Sequence, residues 1–363
     1  MKYLSEYRNL EATKYYLKLI EDKAIGTWNI MEVCGGQTHG LVKNGILELL
    51  PDNVRMIHGP GCPVCVTPRN LIDKAVELLE NDIILCSFGD MVRVPGSKKS
   101  LLDAKAGGGD LRILYSPLEA IQVARENPGK EVVFFAVGFE TTAPANALSV
   151  LHAQKEGLEN YSILVSHVLV PPAMEGILDD EFCNIDAFLG AGHVCAIMGL
   201  HEYYPLAKKY KIPIVITGFE PLDLVQGIYK AICQLEEGLY TVENQYARVV
   251  REEGNIAAQK VIRSVFELTD REWRGIGNIA NSGYALKGKY KDFDAETKFG
   301  IGEKIGGEHP DCIAGEILRG IKKPKQCSQF GNACSPSNPL GAPMVSSEGA
   351  CAAYYHFSHD LIL

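Results

Sequence analysis

The sequence predicts an α/β protein: two doubly wound parallel-sheet domains followed by a C-terminal helical and loop-rich domain. Three observations carry that expectation. Between residues 26 and 220, short β-branched runs alternate with helix-length segments, the pattern of parallel sheets covered on both faces. Nearly every unusual motif directly follows one of those runs, where open α/β sheets carry their ligands. Beyond Trp273 regular patterning weakens while Gly, Pro and Cys become more frequent.

The N-terminal stretch MKYLSEYRNLEATKYYLKLI mixes charged and apolar residues at helical spacing and lacks a small-residue cleavage site. It reads as an amphipathic helix, not a signal peptide. Strands are expected at Trp28–Val33, Val54–His58, Ile83–Ser87, Leu111–Tyr115, Val132–Gly138, Ile163–Ser166, Asp186–Gly190 and Ile214–Thr217. The helices between them include Asn70–Glu80, Leu118–Glu126 and Asn146–Gln154. From about 221 to 270 the pattern turns helical, with Leu222, Val225, Ile228, Ile232 and Leu235 on one apolar face. A chain of 363 residues suggests two or three domains at roughly 150 residues each. The expected boundaries are 1–117, 118–220 and 221–363, the first break falling between the turn Gly107-Gly108-Gly109-Asp110 and the polar segment Glu126–Lys130.

Hydrophobic residues make up 46% of the chain and charged residues 22%, a composition with material for a proper core. The formal charge of −9 argues against nucleic-acid binding, which needs a basic face. No apolar run approaches the roughly 18 residues of a membrane span, so neither nucleic acid nor membrane is an expected partner. A cytoplasmic location follows as the expectation.

Eleven cysteines in a reducing compartment point to metal binding or redox chemistry rather than to staples. Cys86, Cys183 and Cys233 lie in apolar or helical contexts and read as small buried hydrophobes. The two outer groups, Cys34, Cys62 and Cys65 and then Cys312, Cys327, Cys334 and Cys351, sit among Gly and Pro. Cys34-Gly-Gly-Gln-Thr-His39 follows the first expected strand, and Gly59-Pro-Gly-Cys-Pro-Val-Cys65 the second. Phe88–Gly96, Gly138–Thr142, Ala191–His193 and Gly218–Pro221 follow later strands. Six such loops at one kind of strand end suggest a shared cleft.

Cys62-Pro-Val-Cys65 by itself suits a zinc site or a redox dithiol. Zinc would need four ligands, with Cys34, His39 and His58 the nearest candidates. The Gly and Pro framing suits a rigid dithiol, whose closure to a disulfide releases two electrons. Gly35 and Gly36 leave room for a group to approach the Cys34 sulfur. His39 is a candidate ligand or proton shuttle, against a plain helix N-terminal residue. Glu140 and His193 follow strands and are candidate cleft residues, while Thr142 could simply cap a helix. Asp90 and Arg93 are a candidate ion pair. Gly107–Gly109 is neither a Walker nor a dinucleotide fingerprint.

The Cys34–His39 and Gly59–Cys65 segments closely resemble the signature motifs of the HypD family of hydrogenase maturation proteins. GFETTAPANA, SHVLVPPAM, GHVCAIMG, GFEPLD and MVSSEGACAAYY look like further family segments, in order along nearly the whole chain. The resemblance implies a scaffold and electron donor for assembling the Fe(CN)2CO group of [NiFe]-hydrogenases. It implies a small HypC-type partner, with cyanide supplied by a HypE-type partner. Carried over, Cys34 holds the iron jointly with a cysteine of the small partner, and Cys62 and Cys65 are the redox-active dithiol. Soft thiolates suit low-valent iron. One departure stands out: the family pattern Cys-Gly-x-His-x-His has Gln37 at its first histidine, and Gln is a poor iron ligand.

Cys312, Cys327, Cys334 and Cys351 form the pattern C-x14-C-x6-C-x16-C, which is not ferredoxin spacing. Their loop-like surroundings, Lys323-Pro324, Ser335-Pro336 and Asn338-Pro339, could wrap a metal site. Four cysteines fit zinc or [4Fe–4S], and the resemblance favours the cluster as electron source for the dithiol, provided the tail folds back. Two rivals follow: a stand-alone iron–sulfur dithiol oxidoreductase, which leaves Cys34 without a role, and a zinc-stabilised interaction protein.

Overall fold

In a computed structural model the chain is described over residues 8–302 and 309–357. The N-terminal helix runs Leu10–Lys23, and the Asn9 side chain caps it by accepting from the Ala12 N–H at 3.1 Å. The first seven residues of the expected helix lie outside the described residues.

The strands, in chain order, are β1 Trp28–Glu32, β2 Val54–His58, β3 Ile84–Ser87, β4 Leu111–Ile113, β5 Val132–Gly138, β6 Tyr161–His167, β7 Ala187–Ala191, β8 Ile214–Thr217 and β9 Val242–Asn244, followed by β10 Phe266–Trp273 and β11 Gly277–Leu286. Two parallel sheets result, one ordered β2-β1-β7-β8-β9 and the other β4-β3-β5-β6. The α/β expectation with parallel sheets holds. β5 and β6 are buried at every position, as strands covered on both faces must be.

The break expected at 117/118 does not follow the sheets. It falls between β4 and β5, two strands of one sheet. The first sheet instead takes β1 and β2 from one part of the chain and β7 to β9 from another, with Ile30 paired to Ala187. The whole second sheet is inserted between them.

Helix Pro221–Glu237 buries the expected apolar face, Leu222, Val225, Ile228, Ile232 and Leu235, against the first sheet. The following region is not wholly helical and loop-rich: β10 and β11 form an antiparallel hairpin. Cys86 is buried as expected, whereas Cys183 and Cys233 are only partly so. Among the described residues no helix is long and apolar enough to cross a membrane.

The strand ends of the two sheets meet. Phe139 and Val168, just past β5 and β6, share a core with Met31, Val33, Cys34, Phe188 and Ala191 from the first sheet. The Cys62–Cys65 segment packs with Leu85, Val133, Phe135 and Val137 of the second.

Candidate functional site: a buried thiol, a disulfide loop and a four-thiol pocket

Register places the first two motifs side by side. β1 and β2 are parallel neighbours with Glu32 opposite His58, so Cys34 and the Gly59–Gly61 turn emerge at the same height. The Gly35 N–H donates to the Gly61 carbonyl at 2.8 Å, and the Gly59 N–H to the Glu32 carbonyl at 2.9 Å. A Cβ on Gly61 would lie 2.2 Å from the Cys34 nitrogen and 2.3 Å from its Cα. Only glycine allows that approach. Cys62 and Cys65 are joined as a disulfide with Cα atoms 5.2 Å apart, and both are buried. Cys62 caps the short helix Pro63–Val66, its sulfur accepting from the Cys65 N–H at 3.3 Å.

Cys34 occupies the position just before helix Gly35–Lys43, with no capping bond from its side chain, and is 1% exposed. Burial pushes its thiol well above the usual range, and the Glu348 and Glu32 carboxyls add to the shift; backbone N–H groups of Gly36 and Gln37 oppose it. His193 stands beside it, Nε2 3.5 Å from the sulfur, with its ring stacked on Phe219 at 5.1 Å. Burial lowers the His193 pKa to about 4, so near neutral pH the imidazole is uncharged. The pair is a neutral thiol and a neutral imidazole, not an ion pair. A metal binding there must displace the thiol proton.

Phe219 is held by its own turn. Asp223, fully buried, takes both Arg248 nitrogens at 2.6 and 2.5 Å, the Gln245 amide at 2.9 Å and the Glu220 N–H at 3.3 Å.

Other expected residues lie elsewhere. His39 shares Cys34's helix, but its Nδ1 is 3.2 Å from the Ser347 carbonyl and its ring lies edge-on to Phe357. It lines a groove of ≈ 950 Å³ together with Gly36, Lys43 and Phe219. Gln37 is fully buried, donating to the Gly190 carbonyl at 3.0 Å and the Thr217 hydroxyl at 2.6 Å. It ties its helix to β7 and β8. Glu140 lies just past β5; its Oε1 accepts from the Val170 N–H at 2.9 Å, while Oε2 has no hydrogen-bond partner among the described residues. Burial raises its pKa to about 8. When ionised it raises the pKa of Cys195 and of Tyr203, and Cys195 is two residues beyond His193 on helix Gly192–Met198. Asp90 and Arg93 do not pair with each other. Asp90 accepts from the Ser346 hydroxyl at 3.2 Å, and Arg93 donates to the Pro336 and Val345 carbonyls at 3.2 and 3.4 Å. Both hold the C-terminal tail.

That tail folds back onto the disulfide loop. Ala342 and Val345 share a core with Cys62, Val64 and Cys65. Adjacent to them, Cys312, Cys327, Cys334 and Cys351 all line one small, largely apolar pocket with Ile317, Phe330, Leu340 and Met344. Burial raises the Cys351 thiol, and the other three thiols, close by, add to it. The Leu340 N–H points at the Cys334 sulfur, 3.4 Å away, and a Cβ on Gly341 would meet the Cys312 sulfur at 2.4 Å. Among the described residues no three His, Cys, Asp or Glu side chains converge as ligands of a single ion. Four thiols around one volume, with an amide aimed at one sulfur, are a donor set that could hold either a metal ion or an iron–sulfur cluster.

Glu32 was not singled out from the sequence, and Phe219, Glu348 and Tyr354 lay inside quoted segments without a role of their own; His58 was a candidate zinc ligand and instead pairs with Glu32. Glu32 had a signal, as an acidic residue closing the strand that leads directly into Cys34.

The fold and site define a two-sheet α/β protein whose strand ends enclose a buried cysteine and a disulfide loop, backed by a four-thiol pocket. The HypD family model, described as the hydrogenase formation hypA family, matches residues 11–358. Similar proteins include hydrogenase maturation factor HypD2 of Bradyrhizobium diazoefficiens, 48% identical across 98% of this chain and 97% of that one. The hydrogenase maturation factors HypD of Rhodobacter capsulatus and Escherichia coli are 45% and 44% identical, each match covering 98% of both chains. This chain belongs to the HypD family and has the role of a hydrogenase maturation factor.

Proposed function

We propose that the chain is a cytoplasmic scaffold and electron donor for building the Fe(CN)2CO group of [NiFe]-hydrogenases. In this reading Cys34 holds the iron jointly with a small HypC-type partner, and a HypE-type partner delivers the cyanide. The observation that carries it is the contact of the Gly61 turn with Cys34, which sets the disulfide loop beside a thiol that has no disulfide partner.

The chain's own residues divide the work. Cys34 gives up its proton as iron binds, and His193, 3.5 Å from the sulfur and uncharged near neutral pH, can accept a hydrogen bond from the thiol but does not retain the proton. The stacked Phe219 and the packed strand ends keep water from the iron. Cys62 and Cys65, when reduced, close to a disulfide, forming one S–S bond and releasing two electrons and two protons. Cys312, Cys327, Cys334 and Cys351 would hold a [4Fe–4S] cluster, whose chemistry is one-electron transfer. A stand-alone dithiol oxidoreductase would use the same disulfide and pocket but leave Cys34 idle.

Infrared spectroscopy of the chain co-purified anaerobically with its small partner tests the reading. Bands of iron-bound CO and cyanide are expected, and they disappear in Cys34→Ala. Bands that persist in Cys34→Ala would place the iron elsewhere.

A further inference from the structure

A buried hydrogen-bond chain runs from the C-terminal helix to the backbone of Cys34. Glu32, fully buried at the end of β1, accepts the Cys34 N–H on Oε2 at 3.1 Å. Its other oxygen accepts from the Thr38 hydroxyl and pairs with His58 Nδ1 at 2.7 Å. His58 Nε2 lies 3.1 Å from the Tyr354 hydroxyl. Tyr354, His58 and Glu32 thus form one continuous series of hydrogen-bonding groups, and its last member fixes the Cys34 N–H.

The far end of this chain is attached to the four-thiol pocket. Tyr354 and Cys351 share helix Ala350–Phe357, three residues apart and so on one face. The helix packs along Gly35–Lys43, with Ala353 and Tyr354 against Val42. Apolar contact alone would hold the two helices together. It would not account for an acid, an imidazole and a phenol buried in series and ending on the backbone of the one cysteine beside the disulfide loop.

We propose that Tyr354 is a positioning residue for Cys34, acting through His58 and Glu32 to hold the thiol in its buried place. The inference rests on Cys34 being the functional thiol, as in the proposed function. The test needs no iron, so failure of the infrared experiment and failure of this inference are separate results.

The measurement is the rate at which each cysteine of the reduced, metal-free full chain is alkylated by iodoacetamide, resolved by peptide mass spectrometry. Tyr354→Phe removes one hydroxyl and keeps the ring. It is expected to raise Cys34 alkylation about fivefold, the effect of one lost hydrogen bond on local opening. Cys86 and Cys195, buried in the core, should stay unchanged. Glu32→Gln should raise Cys34 alkylation as well, and Tyr354→Phe should add nothing in that background. Tyr355→Phe, on the exposed side of the same helix, should have no effect. The inference is overturned if Tyr354→Phe leaves Cys34 unchanged, if the two substitutions multiply, or if Cys86 and Cys195 rise in parallel with Cys34.

Discussion

Gly61→Ala is the sharpest test of how the disulfide loop is seated. The new Cβ would lie 2.2 Å from the Cys34 nitrogen, 2.3 Å from its Cα and 2.5 Å from the Val33 carbonyl carbon. All three are backbone atoms just past β1, so no side-chain rotation relieves the overlap. The loop must move away instead, breaking the Gly35 N–H bond to the Gly61 carbonyl. Overpacking of this kind costs about 3 kcal/mol, toward the upper end of its usual range because the clash is with fixed backbone. Urea unfolding followed by circular dichroism reads that loss, and Cys34 alkylation reads the displaced loop. Gly129→Ala is the matched control, since a methyl group added there would meet nothing within 4 Å and the backbone angle is ordinary. A Gly61→Ala chain with the unfolding midpoint of Gly129→Ala and a protected Cys34 would refute the packing argument.

Four further substitutions at three positions test the surroundings. Glu140 titrates near 8 when folded against an ordinary 4.5. Its raised pKa means that stability present below 4.5 is lost as pH rises through 8. Glu140→Gln escapes that loss and should gain about 5 kcal/mol relative to the parent across this window; a difference that stays flat with pH would show Glu140 is not held protonated. Asp223→Ala removes the buried carboxylate that gathers Arg248, Gln245 and the Glu220 N–H, and should cost about 3 kcal/mol in urea unfolding. Gln37→Leu takes one donor each from the Gly190 carbonyl and the Thr217 hydroxyl and should cost about 2 kcal/mol. Gln37→His keeps one ring N–H and should lose about half as much; equal losses in the two variants would mean the amide bonds do not hold this helix.

Local chemistry made the strands legible and long-range pairing hid their arrangement. Each of the eight expected strands is present, because β-branched runs bounded by Gly and Pro have few other ways to bury themselves. Sheet membership was not legible. Nothing in WNIME announces that Ile30 will pair with Ala187 rather than with a nearer strand. The β10–β11 hairpin was missed for a different reason: most of β10 faces solvent, and Glu267, Asp270, Arg271 and Glu272 mask its alternation. At the site, the cysteines were found because Gly and Pro framed them. Asp90 and Arg93 were found but mispaired, since their partners lie some 250 residues later in the tail. Gln37 looked like a lost ligand, yet its amide serves the sheet.

The two halves of the thiol apparatus are joined by different physics. Cys34 and the disulfide loop meet because β1 and β2 are adjacent parallel strands with Glu32 opposite His58; that proximity belongs to the sheet and survives as long as the sheet does. The four-thiol pocket reaches them only through the tail. Its hold includes Ala342 and Val345 in the disulfide core, Ala353 and Tyr354 against Val42, His39 on the Ser347 carbonyl, Asp90 on Ser346, Arg93 on two carbonyls, Arg69 on the Leu340 carbonyl at 3.2 Å, and the Tyr354–His58 bond. Each polar link is worth about 1 kcal/mol, and several are partly exposed, so the tail is the part of the apparatus that can come away first. The sheet therefore fixes where Cys34 and the disulfide meet, while the tail contacts join the four-thiol pocket to them.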